Sequence, residues 1–144
     1  MPFGRNAETR NINLFKFPMK IIHITDTHLM PRGTTLHKLN PCERLDACID
    51  NIIEHHSNAE FCVITGDLTD RGDIKAYHDF RDIIQRLPMP CHPLMGNHDH
   101  RQVFCEVFPN IPRDENGFIQ HVLETPAGRF LMLDTVEHGA NWGS

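Results

Sequence analysis

Three short apolar segments alternate with two longer segments of helical periodicity, and this alternation constrains the fold more than any other feature of the sequence. The apolar segments are "KIIHIT" (20–25), "EFCVIT" (60–65) and "PCHPLM" (90–95), which predict buried strands. Between them, apolar residues recur every three or four positions over 41–56 and 74–87, which predicts amphipathic helices. This order is typical of βαβ units with a parallel sheet, so the predicted fold class is α/β.

The rest of the chain predicts a short helix and an antiparallel hairpin. The helix covers about 101–107, and the strands of the hairpin cover 117–125 and 129–135, on either side of Pro-Ala-Gly. A length of 144 residues suits one domain. Residues 1–18 contain basic residues but no long apolar segment, and we expect a poorly ordered leader there, with the domain itself over 19–144.

The overall composition argues against some classes of protein. The net charge is −5 at pH 7, which disfavours nucleic-acid binding because phosphate contacts need clustered Lys and Arg. No apolar run approaches the roughly 18 residues that a membrane span needs. The five cysteines include no C-x-x-C pair, so neither a disulfide framework nor a zinc ribbon is expected. Reduced cysteines are typical of the cytoplasm, which is the predicted location.

Polar side chains follow each of the three predicted strands. Asp26 and His28 follow the first strand, Asp67 follows the second, and Asn97 and His98 follow the third. In an extended segment, residues i and i+2 point to the same side, so Asp26 and His28 could converge. If the strands are parallel, all three clusters lie at the same edge of the sheet, where ligands bind in such folds.

Each of these residues alone has an ordinary structural interpretation. Asp67 by itself would be a helix cap or a turn residue, Asn97 a turn residue, and His98 a solvated loop histidine. Together they favour a metal site, because uncompensated carboxylates repel one another and a divalent cation relieves that repulsion. Oxygen and imidazole ligands suit Mn²⁺, Fe or Zn²⁺.

The ordered set of motifs resembles the calcineurin-like metallophosphoesterase superfamily. The motifs are "DTH" (26–28), "GDLTDRG" (66–72) and "GNHD" (96–99), and the wider sequence is most similar to class III cyclic-nucleotide phosphodiesterases and glycerophosphodiesterases. The middle motif also resembles Ser/Thr phosphoprotein phosphatases, which usually carry Glu where this chain has Asp99. The resemblance implies the N-terminal part of a four-layer αββα sandwich with a mixed sheet.

The resemblance also implies two divalent metal ions (Mn, Fe or Zn) and a role for each site residue. Asp26 and His28 would ligate the first metal, Asp67 would bridge both, and Asn97 would ligate the second. A hydroxide shared by the metals would be the nucleophile. His98 would be the catalytic proton donor at the leaving oxygen.

Contacts with the substrate and with His98 are implied less directly. Asn97, His98 and Arg71 would bind the substrate, a small phosphodiester or a nucleotide, and Asp70 would orient His98. The assignments of Asp70 and Arg71 follow the phosphatases more closely than the phosphodiesterases. Asp73 has a structural interpretation from the residues themselves, as the N-cap of the helix that begins at Ile74.

The family pattern includes three further metal-binding histidines that this chain lacks. Neither His121, inside the predicted hairpin, nor His138 is placed to replace them. We therefore expect a C-terminally incomplete domain, weaker metal binding and a second metal site that can stay empty. The missing strands would expose apolar surface or a sheet edge, which makes a homo-oligomer plausible.

Two hypotheses about function remain open at this point. The first is a metal-dependent phosphodiesterase acting on cyclic nucleotides or small phosphodiesters, which the retained His98 favours. The second is a non-catalytic binding module on the same scaffold, which the missing histidines favour. A nuclease of the same superfamily is a third possibility, disfavoured by the acidic net charge.

Overall fold

The structure is a computed structural model that describes residues 19–137, so the predicted leader and His138 lie outside the described residues. It contains five strands and three helices in the described part of the chain. In order they are β1 (Ile21–Thr25), α1 (Pro41–His56), β2 (Phe61–Thr65), α2 (Ile74–Ile84), β3 (Cys91–Leu94), α3 (Arg101–Val107), β4 (His121–Thr125) and β5 (Gly128–Met132).

The first three strands form a parallel sheet in the order β1-β2-β3, as the sequence predicts. Thr25 pairs with Thr65, and Thr65 pairs with Leu94, so the carboxyl ends of the three strands are level. Strands β4 and β5 form a separate antiparallel hairpin, also as predicted. The expected α/β class, with both parallel and antiparallel strands, is therefore confirmed.

Both long helices begin at residues whose side chains cap them. The Asn40 side chain accepts a hydrogen bond from the Glu43 amide, and Pro41 occupies the first turn, where a missing N–H costs nothing. Asp73 accepts from the amides of Lys75 and Ala76, which confirms its predicted role as an N-cap. These caps fix where each helix leaves the carboxyl edge of the sheet.

The predicted end of α2 at residue 87 is wrong. The helix ends at Ile84, and the next three residues form tight turns in which Leu87 N–H donates to the Ile84 carbonyl. Pro88 follows, and a proline disfavours helical geometry in the residue before it. The apolar Leu87 continues the periodicity of the helix without continuing its backbone.

The predicted bounds of the hairpin are also wrong, because β4 begins at His121 rather than at residue 117 and β5 covers Gly128–Met132 rather than 129–135. Two carboxylates capture the backbone that precedes β4. Asp114 accepts from the amides of Asn116 and Phe118, and Asp134 accepts from the amide of Ile119. Those amides are not available for strand pairing.

The core lies between the helices and the parallel sheet. Its largest fully buried side chains include Tyr77 and Phe80 of α2, Phe104 of α3 and Ile49 of α1. Within residues 19–137, no helix is both long enough and apolar enough to cross a membrane. All five cysteines are free.

Candidate metal centre

The loops that follow the three parallel strands are joined by backbone hydrogen bonds. His28 N–H donates to the Asp67 carbonyl at 2.8 Å, and Gly66 N–H donates to the Leu94 carbonyl at 3.0 Å. A short parallel bridge between Leu29 and Thr69 continues the pairing beyond the ends of β1 and β2. The loops therefore form one connected rim at the carboxyl edge of the sheet.

Three residues on this rim have left-handed backbone geometry although none of them is glycine. The φ angles are +55° at Asp26, +42° at His28 and +44° at Asp67. The predicted convergence of Asp26 and His28 thus occurs, but through turns beyond the strand rather than through the pleat of an extended strand. Such geometry is costly for residues with a Cβ and is concentrated at functional sites in proteins.

Asp26, His28 and Asp67 present three potential ligand atoms to a common point. His28 Nε2 lies 3.6 Å from an Asp67 carboxylate oxygen and 4.0 Å from an Asp26 carboxylate oxygen. The Thr25 hydroxyl donates a hydrogen bond to the other Asp26 oxygen. Ligands bound about 2.1 Å from a shared ion lie about 3–4 Å apart, so this spacing fits one cation better than direct hydrogen bonds.

His28 is oriented by a carboxylate on its other side. Its Nδ1 lies 3.3 Å from an Asp70 carboxylate oxygen, which can accept a hydrogen bond from Nδ1–H. With the proton on Nδ1, the lone pair of Nε2 faces Asp26 and Asp67. Histidines that bind metals usually donate their other N–H to a carboxylate in this way.

His98 lies beside His28, with the two ring centroids 4.8 Å apart in a T-shaped arrangement. Its Nδ1 donates to the Asp70 backbone carbonyl at 2.8 Å, and its amide donates to an Asp67 carboxylate oxygen at 3.0 Å. The Asp70 carbonyl raises the pKa of His98 above 6.5 against the effect of burial, and the charges of Asp67, Asp70 and Asp99 act in the same direction. Asp70 thus holds His98 through its carbonyl, while its carboxylate lies 3.9 Å from the ring.

The other two residues predicted from the sequence are exposed at the same rim. Asn97 follows Gly96 directly, and a Cβ at Gly96 would lie 2.3 Å from both the amide and a carboxylate oxygen of Asp67. Only glycine therefore lets this loop approach the second loop. Arg71 is 73% exposed, and its Nε lies 3.4 Å from an Asp70 carboxylate oxygen, which leaves most of the guanidinium accessible to a ligand.

Asp99 organises the rim, a role that the sequence interpretation missed. Its carboxylate is buried and accepts hydrogen bonds from the amides of Leu68, Thr69 and Gly96 and from the Tyr77 hydroxyl, which lies 2.8 Å away. Burial raises the pKa of Asp99, although these hydrogen bonds oppose the shift. The aspartate that follows "GNH" could have signalled this role, since a carboxylate between two glycine-rich turns is well placed to accept their amides.

The donor set at the rim fits a divalent cation. Two groups of side chains place their donor atoms within 4.8 Å of one another: Asp26, His28 and Asp67, and His28, Asp70 and His98. Three carboxylates lie together there, and Arg71 is the one Lys or Arg among the described residues that forms an ion pair with any of them, so a bound metal would neutralise them. The ligand types match metals that accept oxygen and nitrogen donors.

Comparison with known proteins gives an independent result. The profile of the calcineurin-like phosphoesterase family matches residues 19–141. A probable cyclic nucleotide phosphodiesterase of Rhodopseudomonas palustris is 38% identical over 85% of this chain. A probable glycerophosphodiester phosphodiesterase of Arcobacter nitrofigilis is 27% identical over 87%, and a 3′,5′-cyclic adenosine monophosphate phosphodiesterase of Vibrio vulnificus is 27% identical over 71%.

These relatives are longer than the present chain. The matched region covers 44% of the Rhodopseudomonas protein and 46% of the Arcobacter protein. The chain therefore spans somewhat less than half the length of these curated relatives.

Proposed function

This chain belongs to the calcineurin-like phosphoesterase family, and from that premise we propose that its rim binds divalent cations and takes part in the hydrolysis of phosphodiesters. The relatives named for cyclic nucleotides and for glycerophosphodiesters support a small phosphodiester as the substrate class. We also propose that the protein is cytoplasmic and forms homo-oligomers.

The observation that carries this proposal is the arrangement around His28. Its Nε2 faces the carboxylates of Asp26 and Asp67, while its Nδ1 faces the carboxylate of Asp70. A purely structural histidine would have no need of two carboxylates on one side of its ring. We assign Asp26, His28 and Asp67 to the first cation, and Asp67 with Asn97 to the second.

Bound cations of the Mn, Fe or Zn type polarise phosphoryl oxygens and supply a nucleophile by lowering the pKa of water. The protein contributes the remaining steps. The raised pKa of His98 favours its protonated form, and its Nδ1 is already engaged by the Asp70 carbonyl. Its Nε2 is then the atom that donates a proton to the leaving oxygen. Arg71 binds a phosphoryl oxygen through its exposed guanidinium.

Metal analysis of two variants tests the assignment of the cations. Asp67→Ala should lower the affinity for Mn²⁺ or Zn²⁺ at least about tenfold, because it removes a carboxylate that faces both the His28 ring and the Asn97 loop. Asp82→Ala, which changes an exposed aspartate of α2, is the matched control. Equal metal content in wild type and Asp67→Ala would refute the metal centre.

A second variant separates catalysis from binding. His98→Ala should keep most of the metal but slow the hydrolysis of bis(4-nitrophenyl) phosphate about 10²- to 10⁴-fold, the usual contribution of a general acid. His78→Ala, which removes an exposed histidine of α2, should leave the rate unchanged. Full metal binding without any hydrolysis in the wild type would favour the alternative, a non-catalytic binding module.

A further inference from the structure

The carboxylate of Asp99 joins the loop after β2 and the loop after β3 to helix α2. Its Oδ2 accepts hydrogen bonds from the amides of Leu68 and Gly96, each at 2.9 Å. Its Oδ1 accepts from the Thr69 amide at 3.0 Å and from the Tyr77 hydroxyl at 2.8 Å. The Thr69 hydroxyl also donates to Oδ1, at 3.2 Å. Asp99 is 5% exposed, so bulk water has little access to these bonds.

We propose that Tyr77 and Asp99 are positioning residues, which hold the loops after β2 and β3 in the arrangement that binds the divalent cation. The inference rests on the proposed function, because it gives these two residues a part in the same centre. Asp99 belongs to neither group of candidate ligands. It acts through the backbone next to those ligands, and Tyr77 acts through Asp99.

Asp99 fixes the peptide group that directly follows the candidate bridging ligand. The carbonyl of this group belongs to Asp67 and accepts from the His28 amide at 2.8 Å. Its N–H belongs to Leu68 and donates to Asp99. The peptide group is therefore held on both sides, next to a residue whose φ is +44°. Such a left-handed backbone persists only where the surrounding contacts enforce it, and these two hydrogen bonds are contacts of that kind.

The same carboxylate fixes the turn that carries Asn97 and His98. The Gly96 amide donates to Asp99 Oδ2, and the Asp99 amide donates back to the Gly96 carbonyl at 3.1 Å. The two ends of the turn are thus tied to each other. Because Oδ2 also accepts from Leu68, the turn is tied to the loop after β2 as well.

Tyr77 sets the position of the Asp99 carboxylate. The hydroxyl donates its single hydrogen to Asp99, since an ionised carboxylate can only accept, and it accepts from the His100 amide at 2.8 Å. The Tyr77 side chain is fully buried, and its ring packs edge-on against Phe104 of α3 with the centroids 5.6 Å apart. The core therefore holds the hydroxyl in place, and a site supported by packed helices keeps its geometry better than one built on loops alone.

A purely structural role for this pair would give a different result from a positioning role. Breaking a buried hydrogen bond lowers the free energy of unfolding in either case. Only a positioning role also weakens cation binding in protein that remains folded. Stability and cation affinity must therefore be measured separately.

The test compares Tyr77→Phe with Ile83→Val. The first variant removes one hydroxyl and keeps the ring, and the second removes one methyl group from a buried residue six positions further along α2. Urea titration should show that both variants fold and that both have a lower midpoint than wild type.

Mn²⁺ affinity, measured from the EPR signal of free Mn²⁺, should separate the two variants. Tyr77→Phe should bind at least about fivefold more weakly than wild type, and Ile83→Val within about twofold of wild type. Direct outer-shell partners of metal ligands typically contribute about 10- to 100-fold, and Tyr77 lies one contact further out. Asp99→Asn, which replaces an acceptor oxygen by a donor, should weaken binding at least about tenfold.

Amide hydrogen exchange in the metal-free protein gives a second measurement. The Leu68 and Gly96 amides donate to Asp99 and not to Tyr77, so they respond to Tyr77→Phe only if the hydroxyl holds the carboxylate in place. We expect both amides to exchange at least about fivefold faster in Tyr77→Phe than in Ile83→Val.

The outcomes separate this inference from the proposed function. If Asp67→Ala loses its metal but Tyr77→Phe binds Mn²⁺ as wild type does, the positioning role is overturned and the metal centre stands. An equal loss of affinity in Ile83→Val, or unchanged exchange of the Leu68 and Gly96 amides, overturns the positioning role in the same way. If Asp67→Ala keeps all of its metal, the proposed centre fails and this inference fails with it.

Discussion

At the scale of single residues, the rim depends on how closely two loop backbones approach. Asp67 has a left-handed backbone, and its amide and carboxylate lie directly against Gly96. The same carboxylate accepts a hydrogen bond from His98 N–H. A side chain at Gly96 would therefore disturb both the candidate metal ligand and the candidate proton donor.

Gly96→Ala should damage stability and metal binding together. The new Cβ would lie 2.3 Å from backbone and carboxylate atoms of Asp67, so the loops must separate. We expect a loss of about 3 kcal/mol in the free energy of unfolding, as for a severe overpacking change, and at least a tenfold loss of Mn²⁺ affinity. Urea titration and metal titration measure the two effects.

Gly117→Ala is the matched control for that substitution. Gly117 has a φ of +85° but no atom within 4 Å of an added Cβ, so alanine meets backbone strain without a clash. We expect a loss of about 1 kcal/mol and unchanged metal affinity. If Gly96→Ala lost no more stability than Gly117→Ala and kept its metal affinity, the close approach of the two loops would not be needed for metal binding.

At the scale of secondary-structure elements, the β4–β5 hairpin contacts the parallel sheet through aromatic and imidazole rings. Phe61 of β2 packs against Phe130 with the ring centroids 5.2 Å apart. His121 Nε2 of β4 lies 3.3 Å from His92 Nδ1 of β3, which allows one hydrogen bond between the rings. The other nitrogens of both rings are buried and have no partner among the described residues.

The histidine pair should make folding stability depend on pH. Burial lowers the pKa of both imidazoles, and a charge on His121 would lower that of His92 further. The unfolded chain then binds protons more readily than the folded one. The contribution of the pair is complete above about pH 6.5 and is lost as the pH falls below that value. Between pH 7.5 and pH 5.5 the pair should therefore lower the free energy of unfolding measured by urea titration, against the opposite contribution of His98, whose pKa is raised.

Replacement of one ring tests the origin of that dependence. His121→Phe keeps an aromatic ring next to His92 but cannot take up a proton, so its stability should change less between the two pH values. His78→Gln, on the surface of α2, should keep the wild-type dependence. An identical pH dependence in wild type and His121→Phe would assign the effect to other groups.

The sequence predicted some elements well because their ends are determined locally. The bounds of α1 and α3 match the predictions, and α1 begins at Pro41, a residue type that suits the first helical position. The ends of α2 and β4 depend on turn geometry and on side chains distant in the sequence. Asp134 captures the amide of Ile119 fifteen positions earlier, which no local pattern reveals.

In the candidate site, too, local patterns predicted some features, while contacts distant in the sequence determine the others. The parallel order of the strands was enough to predict that Asp26, Asp67 and the "GNHD" loop share one edge. The left-handed turn at Asp26 could not be predicted, because it depends on contacts with the neighbouring loop. The role of Asp99 was missed because its hydrogen-bond partners come from two other segments, at 68–69 and at Tyr77.

At the scale of the whole molecule, a buried ion pair connects α3 to the segment that follows β5. Arg101 donates from Nε and from a terminal nitrogen to the two Asp134 oxygens at 2.8 and 2.9 Å, and also donates to the Val136 carbonyl. The Asp134 side chain is 1% exposed and the Arg101 side chain 29%. Since α3 follows the "GNHD" loop directly, this pair also limits the movement of the rim.

Removal of the Asp134 charge should destabilise the molecule far more than removal of a surface charge. Burial would raise the pKa of Asp134, but the Arg101 guanidinium and the Ile119 and Val136 amides hold it below 3.8. The charged form therefore dominates at neutral pH. The contribution of this carboxylate to folding stability is lost only in acid. Asp134→Asn should therefore cost about 2–3 kcal/mol at pH 7, because a partly buried guanidinium loses its counter-charge. Glu124→Gln breaks the exposed pair with Arg129 and should cost less than about 1 kcal/mol. Urea titrations of both variants at pH 7 give the comparison, and equal losses would mean that the contact with Asp134 does not hold α3 in place.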